Sequence, residues 1–138
     1  MRQHSIKTSY LIHKTLVSDD DLLELVPEEN IQLLFAQEGT TFPHVIIART
    51  GIRSERGNKD FIGDIVNFNI LVVSDKYEAG ADIADAIRFD IENHILQDSE
   101  IDIRLENIIL TGASERMNYD AFIQEMNFSA EVSRPISD

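Results

Sequence analysis

The chain has 138 residues and a mass of 15.7 kDa, a length suited to one core, since domains hold about 100–200 residues. With 43% hydrophobic and 27% charged residues, the composition excludes collagenous and disordered sequence and predicts a single folded domain over 1–138. Cysteine is absent, which removes disulfides, thiolate nucleophiles and thiolate-bound metals, and a net charge of −13 opposes general binding to phosphate backbones.

No apolar run approaches the ~20 residues that span a bilayer, and the start MRQHSIKTSY lacks the apolar centre of a secretory signal. The expectation is therefore no membrane partner and a cytoplasmic location. Ile6, Tyr10, Ile12, Leu16 and Val17 share one broad face at about 100° per residue, with Lys7, Thr8, Lys14 and Thr15 mostly opposite. This predicts an amphipathic helix over 5–17. Ser18, Asp19, Asp20 and Asp21 then offer N-cap oxygens to a short second helix over 22–26, which Pro27 stops.

The apolar segments 31–36 and 44–52 read as strands. The polar stretch RSERGNKDFIG between Ile52 and Gly63 shows neither periodicity and predicts a long exposed hairpin loop. Strand alternation resumes over 64–74, with Val66, Phe68, Ile70 and Val72 on one face. Asp75 and Glu78 have capping-box spacing ahead of a helix over 77–96, whose core stripe is Ile83, Ala84, Ile87, Ile91 and Ile95. Segments 104–111 and 122–132 read as closing strands. The order α, short α, β, β, β, α, β, β predicts an α+β fold. It would be a mainly antiparallel sheet of about five strands, with one long helix and the N-terminal helix packed on it.

Motifs that carry chemistry are scarce. His4, His13, His44 and His94 are scattered without ligand spacing, so no metal is predicted, and Asp19 to Asp21 lack the alternation and Gly of a calcium loop. No glycine pattern forms a phosphate loop, and Ser114 is not framed as a nucleophile elbow. The expectation is a protein without cofactor or catalytic residues. A hydrolase would instead require a deep pocket with two facing carboxylates whose pKa values are pushed apart.

Two features call for a partner or for solvent. On the 77–96 helix, Phe89 and Leu96 project opposite the core stripe at i, i+7, rimmed by Asp82, Asp85 and Glu92, as in an apolar interface centre with a charged rim. Single exposed apolar residues are also common on monomers. The second feature is the loop over 53–60 with Arg53, Arg56 and Lys59, preceded by Arg49, together four of the twelve bases. Such a patch suits an acidic surface, that of a neighbouring copy included, or local contact with DNA. A soluble hairpin tip is the competing account.

The helix ending near Asp20-Asp21-Leu22-Leu23-Glu24-Leu25-Val26, the strand opening Phe42-Pro43-His44-Val45-Ile46-Ile47, and Val66-Asn67-Phe68-Asn69-Ile70-Leu71-Val72-Val73 leading to Ala79, Ala81, Ile83, Ala84 and Ile87 form a recognisable series. In it the chain resembles the tail-completion, or tail-terminator, proteins of long-tailed bacteriophages and prophages. The resemblance implies a non-enzymatic protein that forms a ring, typically of six copies, on the end of the tail tube. It implies the tail tube protein and the head connector protein as partners, with DNA passing through the ring, and assembly in host cytoplasm before residence in the virion tail. Acids directed into the ring opening would repel that DNA within a Debye length of about 8 Å. The competing function is a cytoplasmic α+β module that binds a ligand or peptide.

Overall fold

The computed structural model describes residues 4–58 and 61–133, with the course of the chain alone at 56–58 and 61–62. A 3-10 turn at Ser5–Lys7 runs on into α1, Thr8–Val17. Its buried side is rotated from the expected one: Thr8, Leu11, Ile12 and Leu16 are buried, whereas Ile6 and Tyr10 are exposed. Thr8 tolerates burial because its hydroxyl donates to the Ser5 carbonyl at 2.6 Å. Of the four residues 18–21 that offer cap oxygens, Asp19 caps α2, Asp20–Leu25, which starts two residues earlier than expected, and it accepts from the N–H groups of Asp21 and Leu22.

After a 3-10 turn at Glu28–Asn30 comes β1, Ile31–Leu33, which ends where Leu34 takes φ 73°. β2, His44–Asn58, and β3, Phe61–Ser74, pair antiparallel from His44↔Val73 to Asn58↔Phe61. The segment expected to be a long hairpin loop is thus mostly ladder; Lys59 and Asp60 lie outside the described residues. Arg53, Ser54 and Glu55 are polar at successive positions although they pair with Ile65, Asp64 and Gly63, so the strand period is absent from this stretch of sequence.

α3 spans Tyr77–Glu92 and buries Ile83, Ala84, Ile87 and Ile91. The expected capping box does not form. Lys76 occupies the N-cap, and its own N–H donates to the Ser74 hydroxyl at 3.1 Å. The helix also stops four residues short of the predicted end, and the chain turns into β4, Leu96–Asp98, then β5, Ile103–Asn118, and β6, Ala121–Ser133.

Among the described residues the sheet has six strands in the order β1-β2-β3-β6-β5-β4. The expectation of a mainly antiparallel five-stranded sheet under one long helix is therefore corrected to a mixed six-stranded half-barrel with three α-helices. Two local facts cause the difference. β1 runs parallel to β2, through Ile31↔Val45 and Leu33↔Ile47, so the 34–43 connection is a crossover and not a hairpin. β4 is a three-residue strand in a stretch whose sequence continues the helical period.

Curvature follows from the packing. α1 touches β1 and β2 at one sheet edge and β4 at the other. Six flat strands would set those edges about 24 Å apart, while ten helical residues span about 15 Å. The sheet must curl, and bulges in β2 between Arg49 and Gly51, and in β5 around Asn107 and Thr111, supply the bend. Inside the curl, Phe68 of β3 and Phe128 of β6 stack with ring centroids 5.2 Å apart.

The crossover is held by Asn30, whose buried side-chain amide donates to the Pro43 carbonyl at 2.9 Å and lies 3.3 Å from both oxygens of Thr41. Asn30→Ala removes the donor those carbonyls face and is expected to lower stability by about 1–3 kcal/mol. The check is a lower urea midpoint at an unchanged slope.

Candidate functional site

The surface features fall into four regions, of which the sequence pointed to two. On α3, Glu78, Asp82, Asp85 and Phe89 form one exposed stripe at i, i+4, i+7 and i+11. Phe89 is 62% exposed, with the His94 ring at its edge, centroids 6.1 Å apart. Glu92, the remaining rim acid, pairs with Arg88 at 3.1 Å. Leu96 does not belong to this face. It lies in β4 opposite Leu105 and is only 3% exposed. Because the helix ends at Glu92, the i, i+7 spacing no longer places Leu96 over Phe89; Ile95, expected in the core, is the exposed residue instead.

The basic region divides similarly. Arg49 is exposed beside the β2 bulge and has no ion pair among the described residues, whereas Arg53 donates to Glu55 at 2.6 Å. The Arg56 side chain and all of Lys59 lie outside the described residues. Next to Arg49 is a cleft of about 230 Å³ lined by Ile6, Arg49, Thr50, Gly51 and Ile52. Tyr10 of α1 is exposed as well but does not line this cleft.

A third region, which sequence reasoning missed, is the turn end of the β5–β6 hairpin, where residues 111–120 are all exposed. Tyr119 at its tip is 92% exposed with φ 55°, a left-handed conformation uncommon for a bulky side chain. The base is braced: Tyr77 and Gln124 donate to Glu115 at 2.7 and 2.9 Å, and Arg116 pairs with Glu125 at 3.0 Å. The Gln124 amide, with the Tyr77 hydroxyl, holds the Glu115 carboxyl below its ordinary pKa. Asn118 and Asp120 around Tyr119 were the available turn signal.

The fourth region joins residues 71 positions apart. Asp19, at the cap of α2, and Asp90, on α3, share an open cleft of about 290 Å³ with Thr15, Ser18, His94 and Gln97. Asp90 Oδ2 is shut off from water, and no donor among the described residues faces it. Burial, then a hydrogen bond with Asp19 and the charges of Asp19 and Asp21, push its carboxyl up to about 7, against the opposing charge of His94. The shared proton, followed by the Leu22 and Asp21 N–H groups, holds Asp19 below its ordinary value. The pair thus has the opposed pKa shifts of an acid–base couple, but its ionised member is already engaged as a helix cap.

The histidines divide between the core edge, where His13 and His44 lie, and the surface, where His94 is exposed, with His4 3.8 Å from Asp102. His13, His44 and His94 each hydrogen-bond a main-chain carbonyl, of Ile31, Thr41 and Asp90 respectively. A further cleft of about 390 Å³ lies by β1, lined by residues including His13, Glu28, Gln32 and Phe35. Among the described residues, no helix is long and apolar enough to cross a membrane.

No protein-family model and no curated protein matches the chain. Among solved structures, the fold is similar to a chain from the virion of a native gene transfer agent particle, with TM-score 0.69 and 19% identity, covering 89% of this chain and 92% of that one. A second solved chain superposes with TM-score 0.64 at 12% identity over 99% of both. At these identities the likeness is one of fold, and it extends along nearly the whole of each chain.

Proposed function

We propose that the protein is a structural component of a phage-like particle and acts in its tail. Copies join into a ring, six in the assembled tail, that caps the tail tube and presents a surface to the head connector. The observation that carries this reading is the fold likeness to a gene transfer agent virion chain over 89% of the sequence. The surface agrees with it. Phe89 with its acids and Arg49 with its cleft are different patches on one chain, the arrangement from which heterologous contacts build closed rings.

In this reading the protein turns over no substrate, takes no cofactor and meets DNA only as it passes through the opening. Among the described residues, the Asp19 and Asp90 pair is the arrangement that favours a second reading, general acid–base hydrolysis. Against it, the cleft is open and Asp19 is committed to α2.

Tube growth tests the proposal. Added to polymerising tail-tube protein of the same particle, well below one copy per tube subunit, the protein is expected to shorten the tubes in proportion to its concentration. Tube lengths that do not respond would count against capping.

A further inference from the structure

Two unmet surfaces of the chain are complementary. Phe89 stands exposed on a helix face with Glu78, Asp82 and Asp85, and the nearby Arg88 is already engaged by Glu92. The cleft beside the β2 bulge has the opposite character. Its apolar residues are Ile6 and Ile52, and its one charged lining residue is the cation Arg49, which has no ion pair among the described residues. In a chain of net charge −13, a cationic apolar cleft is the surface an acid-rimmed aromatic would seek. The cleft is open to solvent and measures about 230 Å³, room for part of a neighbour's side chain to enter from outside.

The geometry points to a head-to-tail contact between copies, in which Phe89 of one copy enters the cleft between Ile6 and Ile52 of the next. Asp82 and Asp85 then face Arg49. The occupant is a second copy of this chain, and the inference rests on the ring reading above while naming its contact. An aromatic anchor in a desolvated cleft with a charged rim is the usual centre of binding energy. Each copy offers one knob and one cleft, so neither is satisfied until the chain of contacts closes.

The absence of cysteine makes the contact testable by oxidation. Phe89→Cys and Ile6→Cys are prepared singly and together. Each single variant alone is expected to stay largely uncrosslinked, and their mixture to give disulfide-linked dimers and nothing larger. The double variant should give a ladder that stops at the closed ring. Arg49→Glu should weaken association of the cysteine-free chain by about tenfold, equivalent to 1.4 kcal/mol, and Asp82→Lys with Asp85→Lys in the same chain should restore it. Unchanged melting of each variant separates loss of contact from loss of fold.

Self-crosslinking of Phe89→Cys alone would show a symmetric contact and overturn the inference. So would a mixture that crosslinks no more than its components while the unmodified chain sediments as an oligomer; the ring reading would survive that result with a different contact. An unmodified chain that neither self-associates nor shortens tubes would sink both.

Discussion

Phe68→Ala is expected to destabilise the fold by about 3–5 kcal/mol, a large share of the about 5–15 kcal/mol that holds a domain together. Phe68 sits at mid-strand in β3, between β2 and β6, directly opposite Phe128 in the ladder. Both rings are almost fully buried and stack 15° from parallel. Truncation leaves a void where the curled sheet meets the helices, and a rigid sheet closes such voids poorly. Part of the loss belongs to the ring pair, so a double-mutant cycle with Phe128→Leu should return a coupling of about 0.5–1.5 kcal/mol. Urea denaturation measures both. A Phe68→Ala loss near that of a surface substitution would mean the core is not built around this pair.

Asp90→Asn is expected to stabilise the protein above neutral pH and to leave it unchanged in acid. The sign follows from linkage. The folded carboxyl holds its proton up to about 7 against an ordinary value of 3.8. The unfolded chain therefore releases a proton that the native state keeps, and native stability falls as pH rises between those two values. Below 3.8 both states are protonated and the difference vanishes.

Asp19, shifted down, contributes stability above its ordinary range and loses it only in stronger acid, outside this window. His44, lowered by burial, acts inside the window with the opposite sign, since its contribution is lost as pH falls through its ordinary range near 6.5. The decisive quantity is therefore the difference between variant and parent. An asparagine amide can donate to Asp19 at every pH. Allowing for solvent screening of a half-exposed group, the gain should reach about 1–2 kcal/mol above neutrality. A difference that is constant with pH would show that Asp90 does not carry the titration.

Much of the element order is legible because it depends on local rules. The run Ser18 to Asp21 is read as a source of cap oxygens because such side chains before a helix satisfy its free N–H groups, and Val66, Phe68, Ile70 and Val72 are read as a buried face because strands alternate. What the sequence conceals depends on distant partners. Nothing local in Ile31 to Leu33 says that its neighbour runs parallel, so the crossover was missed and the sheet class with it. Leu96 and Ile95 look like helix positions until the chain leaves the helix at Glu92, which exchanges their exposure. Ile6 and Tyr10 are apolar and read as core, yet the curled sheet admits only one side of α1.

The site follows the same division. Phe89 and Arg49 are found from sequence because each is an exception within a single element: an aromatic among acids, and a base in an acidic chain. The cleft that Ile6 and Ile52 share, and the carboxyl pair of Asp19 and Asp90, exist only after folding. Tyr119 escaped notice because a polar hairpin arm has no periodicity, although Asn118 and Asp120 mark its turn.

The most direct measurement of the central claim is cryo-electron microscopy of tail tubes assembled with this protein. The account predicts a single closed ring of copies at one end of each tube, six around the axis, with the Phe89 face of each copy seated on its neighbour. Copies bound along the tube wall, at both ends alike, or nowhere on the tube would contradict it.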